Sequence, residues 1–282
     1  MILSQLKKEL YLKARSVDMD EADLEVRLIL TMATGLDSIG QIMEAGRKMT
    51  DEEIEKAKDL LDKRIQGIPE AYLSHSKEFF GYPFYVDENV LIPQPDTEIL
   101  VETSIGVLRK MESPRVLDLC TGSGCIGTSI KMNVPNAEVM LSDISPEALE
   151  IAKRNYRNIT GKEAEARLGD LFSPWKGEKF DFIATNPPYV TTIWYEEVSE
   201  EVKNEPKLAL LDYAEDGLDI IRRIISGSKT MLNEGGALII ESDYRQCEAI
   251  RTLLEDEGYS GIQTFKDLAG KERCTIGFLS SM

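Results

Sequence analysis

The spacing of apolar residues changes along the chain and divides it into parts. Over residues 3–66 apolar side chains recur every three or four positions, which predicts amphipathic helices packed into a small domain. Thr50 followed by Glu53 forms a capping box, so we expect a long helix to begin there and to end before Gly67. The sequence therefore predicts a helical domain over residues 1–73.

Residues 74–92 have a different character, because aromatic and β-branched residues cluster around Gly81 and Pro83. This composition predicts a β-hairpin that links two domains. From residue 93 onwards, short apolar runs alternate with helical patterns as far as the C-terminus. Such alternation predicts a mostly parallel sheet covered by helices on both faces, so we assign residues 93–282 to a domain of the α/β class.

A glycine-rich turn follows the first strand of this domain. Residues 118–127 contain the pattern GxGxxG at Gly122, Gly124 and Gly127. Such a turn lets a ligand approach the backbone closely, and an acidic residue after the next strand, here Asp143, can accept from ribose hydroxyls. The pattern fits any adenosine-bearing cofactor, and a nicotinamide dehydrogenase is one alternative that it leaves open.

A third short strand is expected over residues 164–168, and Asp170 follows it. We expect the Asp170 carboxylate to accept from the exocyclic amine of an adenine, with Leu171 and Phe172 beside the base. An exposed aspartate in an ordinary turn is the alternative interpretation.

The tetrapeptide Asn186-Pro187-Pro188-Tyr189 follows the apolar strand of residues 180–184. Its two prolines fix their own φ angles and restrict the residues before them, so the loop is stiff. The Asn186 side chain offers an acceptor, the carbonyls of Asn186 and Pro187 have no helical partner, and Tyr189 offers an aromatic face. Together these groups could hold a planar NH2 group, whereas a proline-rich turn without a ligand is the alternative.

Charge and composition narrow the class of protein. The net charge is −17 at pH 7, and acidic residues exceed basic ones on both sides of residue 73, which disfavours direct nucleic-acid binding and favours a protein partner. The four cysteines lack CxxC spacing and His75 is the only histidine, so we expect no metal site and no histidine-activated nucleophile. Without a signal-like or membrane-spanning stretch, the chain is expected to be cytoplasmic and to have no membrane partner.

Taken together and in this order, these segments resemble the protein-(glutamine-N5) methyltransferases of the HemK/PrmC type, which modify peptide-chain release factors. The resemblance covers nearly the whole chain and rests on residues 92–98 (Ile-Pro-Gln-Pro-Asp-Thr-Glu), 118–127, Asp143, 169–172 and 186–189. Asn-Pro-Pro-Tyr alone is shared with adenine-N6 methyltransferases, whereas residues 92–98 and the helical domain are typical of the release-factor group. The resemblance implies a Rossmann-like class I methyltransferase domain with a seven-stranded, mostly parallel sheet, preceded by a helical domain that binds the partner.

The resemblance also implies a reaction and a site. A methyl group would pass from S-adenosylmethionine, leaving S-adenosylhomocysteine, to the side-chain nitrogen of the glutamine in the Gly-Gly-Gln motif of a release factor. The residues implied to bind the cofactor are Cys120, Thr121, Gly122, Ser123, Gly124, Asp143, Asp170, Leu171 and Asn186. The residues implied to bind the glutamine amide are Asn186, Pro187, Pro188 and Tyr189, with Asn186, Pro187 and Tyr189 in the catalytic role.

Three residues depart from the family pattern. Cys120 and His75 stand where glycine is common in the family, and Gln94 stands where arginine is usual. Two other functions stay open for a chain with these motifs. One is an adenine-N6 nucleic-acid methyltransferase, which uses the same loop on a flipped base, and the other is a non-catalytic module that binds release factors.

Overall fold

A computed structural model describes residues 1–280 and divides the chain into two compact units. One unit contains Met1–Ser74 together with Ser199–Asn204, and the other contains the rest of the described chain. Residues 281 and 282, the end of the domain predicted over residues 93–282, lie outside the described residues.

The first unit is helical, and its core follows the predicted apolar spacing. Its helices are α1 (Leu3–Ser16), α2 (Ala22–Thr34), α3 (Ser38–Met43), α4 (Asp51–Ile65) and α5 (Glu70–Ser74). The predicted capping box is confirmed at the start of α4. Thr50 Oγ1 accepts from the Glu53 N–H at 3.1 Å, and the Glu53 carboxylate accepts from the Thr50 N–H at 2.9 Å. These bonds satisfy two backbone donors that a helix start leaves open.

The segment Ser199–Asn204 joins this unit although it is distant in sequence. The buried guanidinium of Arg64 donates to Glu201 at 2.7 Å and to both carboxylate oxygens of Glu25 at 2.8 Å. Asn204 Nδ2 donates to the Gly67 carbonyl at 3.1 Å. A charge-assisted pair and a backbone contact therefore attach the segment, and no local sequence pattern indicates this attachment.

Over the described residues, the second unit contains nine strands and the remaining helices except α10, which lies in the first unit. The strands are β1 (Lys77–Phe79), β2 (Tyr82–Phe84), β3 (Arg115–Leu119), β4 (Glu138–Asp143), β5 (Glu165–Leu168), β6 (Phe180–Thr185), β7 (Leu232–Glu241), β8 (Tyr259–Lys266) and β9 (Glu272–Leu279). The helices are α6 (Glu98–Leu108), α7 (Cys125–Asn133), α8 (Pro146–Thr160), α9 (Thr192–Glu197), α10 (Glu200–Lys203, within the segment of the first unit), α11 (Lys207–Leu210), α12 (Asp219–Met231) and α13 (Cys247–Asp256).

Strands β1 and β2 pair as the expected antiparallel hairpin, and the other seven strands form one sheet in the order β5-β4-β3-β6-β7-β9-β8. The pairs from β5 to β7 are parallel, and β9 pairs antiparallel with β7 and β8. This confirms the predicted α/β class with a mostly parallel seven-stranded sheet. The chain winds outward from β3 to β5 and then returns to place β6 on the other side of β3. A crevice for ligands is expected at the carboxyl ends of β3 and β6, where the winding direction reverses.

Two apolar layers cover the two faces of this sheet. One contains Leu100, Ile126 and Phe182, and the other contains Leu117, Ile183 and Ile225. Because successive residues of a strand face opposite sides, strands covered on both faces need apolar residues at nearly every position. None of the helices within residues 1–280 is long and apolar enough to cross a membrane.

The sequence did not predict the short helices α3, α5 and α9 to α11. Helices of four to six residues carry too few apolar repeats to show a period. The sequence predicts a long helix from Gly217, and α12 begins two residues later, at Asp219. That difference lies within the usual uncertainty of a helix boundary.

Candidate active site

The turn after β3 is organised by two acidic residues. Asp118 is fully buried, and its Oδ2 accepts from Thr121 Oγ1 at 2.6 Å and from the Gly127 N–H at 2.8 Å. Asp143, at the end of β4, accepts from the Gly122 N–H at 2.8 Å and from the Ser145 N–H at 2.9 Å. Burial raises the pKa of Asp118 to about 7, and burial also raises the pKa of Asp143. Asp118 thus supports the turn from inside the fold, while Asp143 lies at its open side.

The three glycines of the GxGxxG pattern meet different surroundings. A Cβ at Gly122 would meet no atom within 4 Å, whereas a Cβ at Gly124 would lie 3.0 Å from the Cα of Ala152 in α8. A Cβ at Gly127 would lie 2.7 Å from Leu141 Cδ2. Gly122 is therefore the glycine that leaves open space for a ligand, and the other two permit close packing of α7.

A cavity of about 300 Å³ opens at the carboxyl ends of β3, β4 and β6. The site residues named from the sequence line this cavity except Gly124, Phe172, Pro187 and Tyr189. Phe172, expected beside the base, packs instead against the apolar layer that contains Ile183. Its wall is completed by residues 88–94 and by Pro206, Leu208 and Ala209. A mostly apolar cavity with a few polar groups is the usual form of a site for a small molecule.

Asp170 and Leu171 lie on one wall of the cavity. Asp170 is exposed and pairs with Arg223 of α12, with 2.5 Å between Oδ2 and the guanidinium Nη2. Its second oxygen remains open for an amine, so the pairing is compatible with both interpretations of Asp170. Leu171 has a left-handed backbone with φ of 47° and presents an apolar surface to the cavity.

Asn186 follows β6 and is oriented by a buried carboxylate. Its Nδ2 donates to Glu241 Oε1 at 3.0 Å and lies 3.5 Å from Thr97 Oγ1. An ionised carboxylate can only accept, so the amide turns its NH2 group towards Glu241 when Glu241 is ionised. The Oδ1 atom accepts no hydrogen bond within residues 1–280, and Asn186 lines the cavity.

The other end of the tetrapeptide is held from behind. The buried Gln246 side chain donates to the carbonyls of Tyr189 at 3.1 Å, Asp216 at 2.9 Å and Gly217 at 3.1 Å. The Tyr189 ring packs against the apolar layer that contains Ile183, and burial raises the pKa of its hydroxyl. The structure therefore brings Asn186 and Pro188 to the cavity wall, whereas Pro187 and Tyr189 are not among its lining residues.

Sequence reasoning missed three residues that fix this loop: Thr97, Glu241 and Gln246. Glu241 ends an apolar strand, which is the same signal that identified Asp143. Thr97 belongs to residues 92–98, which were used only as evidence for the family and not as part of the site. Gln246 lies before α13 and gave no signal in the sequence.

Comparisons with known proteins identify the family. The profile described as PrmC N-terminal domain matches residues 8–74, and the one described as Methyltransferase small domain matches residues 95–205. A release factor glutamine methyltransferase from Neisseria gonorrhoeae is 37% identical over 256 residues, which is 90% of this chain and 92% of that protein. This chain belongs to the release factor glutamine methyltransferase family. The motifs therefore predicted the family correctly.

A second relative agrees with this assignment, and a solved structure shares the fold. A release factor glutamine methyltransferase from Clostridium acetobutylicum is 35% identical over 277 residues, which is 95% of this chain and 97% of that protein. The solved structure of the Thermus thermophilus 16S rRNA N2 G1207 methyltransferase, in complex with AdoMet and guanosine, matches with a TM-score of 0.53 and 19% identity. The matched region covers 72% of this chain and 49% of the Thermus thermophilus chain, and the likeness shows a shared methyltransferase fold.

Two of the departures from the family pattern have the same backbone conformation. Cys120 and His75 both lie in the left-handed region, with φ of 59° and 53°. Glycine takes this conformation without strain, which explains why it suits these positions in a release factor glutamine methyltransferase, whereas another residue costs roughly 1–2 kcal/mol there. His75 stacks on Tyr85 with 5.3 Å between ring centroids, and Gln94 Nε2 donates to the Ile92 carbonyl at 3.1 Å.

Proposed function

We propose that this protein transfers a methyl group from S-adenosylmethionine to the side-chain nitrogen of the glutamine in the Gly-Gly-Gln motif of peptide-chain release factors. One observation carries the proposal. The chain, which matches the two relatives named above over 90% and 95% of its length, places an asparagine with an open acceptor on the wall of a cavity. We expect the reaction in the cytoplasm and no direct role for nucleic acid.

The cavity suits S-adenosylmethionine in size and in chemistry. Gly122 leaves space for close approach to the backbone, and the Asp143 carboxylate lies at the wall as an acceptor for ribose hydroxyls. Leu171 would lie beside the adenine, and Asp170 would accept from its amine. When bound, the cofactor supplies an electrophilic methyl group on a positively charged sulfur. Cys120, Thr121 and Ser123 would complete the cofactor wall, with Gly124 supporting it through helix packing.

The substrate nitrogen needs orientation more than it needs a base. The lone pair of an amide nitrogen is delocalised, so the protein must hold both N–H groups to direct that lone pair. Asn186 Oδ1 and the Pro187 carbonyl are the acceptors that we assign to this task, with Pro188 at the wall. Neither acceptor is occupied by a donor within residues 1–280. Fixed dipoles of this kind stabilise the charge that develops on nitrogen in the transition state. The bond from sulfur to the methyl group would break as the nitrogen–carbon bond forms, and the cationic methylated amide would then lose one proton to water. A substrate contact of the Tyr189 ring stays a prediction.

The direct test is transfer of a labelled methyl group. The protein is incubated with S-adenosylmethionine carrying a labelled methyl and a release factor from the same source, and peptides are mapped for N5-methylglutamine. We expect label only on the Gly-Gly-Gln glutamine, and Asn186→Ala should slow transfer by roughly two orders of magnitude while calorimetric cofactor binding is retained. Label on adenine of added DNA or RNA would favour the adenine-N6 alternative. Binding of both partners without transfer would favour the non-catalytic module.

We further propose that the helical domain over residues 1–73 selects the release factor. The support is that this region matches a family-specific domain, and that the protein is strongly acidic, which suits a neutral or basic protein partner. Hydrogen exchange on the full chain tests the proposal. Adding the release factor should slow amide exchange within residues 1–73, and unchanged exchange there would contradict a partner-binding role.

A further inference from the structure

Strands β6 and β7 are joined at both of their ends by the same kind of pair. At the carboxyl end Asn186 Nδ2 donates to Glu241 Oε1 at 3.0 Å, and at the opposite end Asn233 Nδ2 donates to Asp181 Oδ1 at 2.7 Å. One asparagine–carboxylate pair thus lies at the cavity and the other lies at the far end of the strands. Only the first can influence the site directly, because Asp181 and Asn233 do not line the cavity.

Glu241 is well placed to act on Asn186 and poorly placed to act on a substrate. Its side chain is buried, with 3% of the residue exposed, and it does not line the cavity. It meets the NH2 side of the Asn186 amide, so the Oδ1 side faces away from it. Thr97, which is 2% exposed, faces both groups and limits the space in which the amide could rotate.

We infer that Glu241 is a positioning residue for methyl transfer, because its carboxylate fixes the Asn186 amide with Oδ1 directed at the substrate nitrogen. The inference rests on the proposed function and deepens it. A hydrogen bond to a carboxylate is stronger than one to a neutral oxygen, and it draws the amide dipole so that Oδ1 becomes a better acceptor. Without Glu241 the amide can present NH2 to the substrate, which would repel the N–H groups that must be held.

The positioning role uses the ionised form of Glu241, and the surroundings of Glu241 act on that form in both directions. Burial raises the pKa of Glu241 to about 7, while Thr97, Arg273 and Asn186 oppose that rise, and Asp96 adds to it. Arg273 also bridges Asp96 at 3.0 Å and Asp267 at 2.8 Å. This arrangement attaches the loop that carries Thr97 to the turn between β8 and β9, and it keeps a positive charge near the Glu241 carboxylate.

A double-mutant cycle tests the inference. Single-turnover methyl transfer to the release factor is measured for Glu241→Gln, Asn186→Ala and the double variant, with cofactor affinity measured in parallel. We expect Glu241→Gln to slow transfer about tenfold when Asn186 is present and less than about twofold in the Asn186→Ala background. The cofactor affinity of Glu241→Gln should stay within about twofold of wild type, because Glu241 does not line the cavity. Equal losses in both backgrounds, or no loss in either, would overturn the inference.

Asp181→Asn is the matched control, because it neutralises the carboxylate of the other asparagine pair on the same two strands. It should lower thermal stability without slowing transfer. If Asp181→Asn slows transfer as much as Glu241→Gln, the effect belongs to strand pairing in general and the positioning role is wrong.

A second readout does not depend on activity. In protein labelled with ¹⁵N-asparagine, the Asn186 side-chain NH2 signals are assigned by their loss in Asn186→Ala. Glu241→Gln should shift these signals and speed their exchange with solvent, whereas Asp181→Asn should leave them in place. Unchanged Asn186 signals in Glu241→Gln would overturn the inference. If the wild-type protein transfers no methyl group, the proposed function fails, and the NMR comparison alone decides whether Glu241 orients Asn186.

Discussion

Replacement of Gly127 by alanine should destabilise the fold, although glycine in a helix is normally a liability. A Cβ at this position would lie 2.7 Å from Leu141 Cδ2 and 2.9 Å from Asp118 Oδ2, where carbon contacts normally need 3.5–4.0 Å. Neither neighbour can yield easily, because Leu141 is fully buried and Asp118 is held by Thr121 and by the Gly127 N–H. Overpacking of this kind costs about 1–3 kcal/mol.

Two other glycines provide the comparison. Gly106 lies in helix α6 with no atom within 4 Å of its missing Cβ, so Gly106→Ala should stabilise the protein by about 0.5–1 kcal/mol. Gly122 also has open space, but its φ of 53° strains an alanine by about 1 kcal/mol, and the new methyl would enter the cavity. Gly127→Ala should therefore lower the free energy of unfolding by about 2 kcal/mol with cofactor affinity retained, whereas Gly122→Ala should weaken cofactor affinity at least about tenfold.

Urea denaturation followed by tryptophan fluorescence measures the free energy of unfolding of the second structural unit, which contains all three glycines. Both tryptophans, Trp175 and Trp194, lie in the second unit, and Trp175 is fully buried. Isothermal calorimetry with S-adenosylmethionine supplies the affinities. The reasoning would be refuted if Gly127→Ala were as stable as Gly106→Ala, or if Gly122→Ala bound the cofactor as tightly as wild type.

Three further predictions concern the cavity and its buried carboxyls. Asp143→Ala should weaken calorimetric binding of S-adenosylmethionine at least about tenfold, and an unchanged affinity would remove Asp143 from the ribose role. At Cys120 the glycine variant should be more stable to urea than the alanine variant by about 1 kcal/mol, because only glycine relaxes at φ of 59°, and the opposite order would contradict a left-handed backbone there. Burial raises the pKa of Glu241 to about 7, above its unfolded value near 4.5. The folded state is therefore more stable when Glu241 is protonated. That contribution is complete below the unfolded pKa and is lost as pH rises through about 7, by on the order of 1–3 kcal/mol. Glu241→Gln should flatten the fall in unfolding free energy between pH 5 and 8, and an equal slope in both proteins would disprove this assignment.

The motifs located the candidate site because chemistry at strand ends depends on short stretches of sequence. The glycine turn, Asp143 and Asn186 each follow an apolar run, and parallel strands bring their carboxyl ends to one edge of a sheet. The order of these segments was enough to predict the fold class and the family, and it named nine of the residues that line the cavity.

The sequence by itself determined that this chain is a helical region followed by a mostly parallel α/β domain, because apolar periodicity and turn residues act locally. Only the tertiary structure decided which of three similar glycines lines the cavity and which side of the Asn186 amide accepts no hydrogen bond within residues 1–280. Glu241 lies 55 positions from Asn186 along the chain, and the two meet only because β6 and β7 are neighbours in the sheet. A hydrogen bond across strands depends on the pairing of whole elements, and no pattern within either segment encodes it.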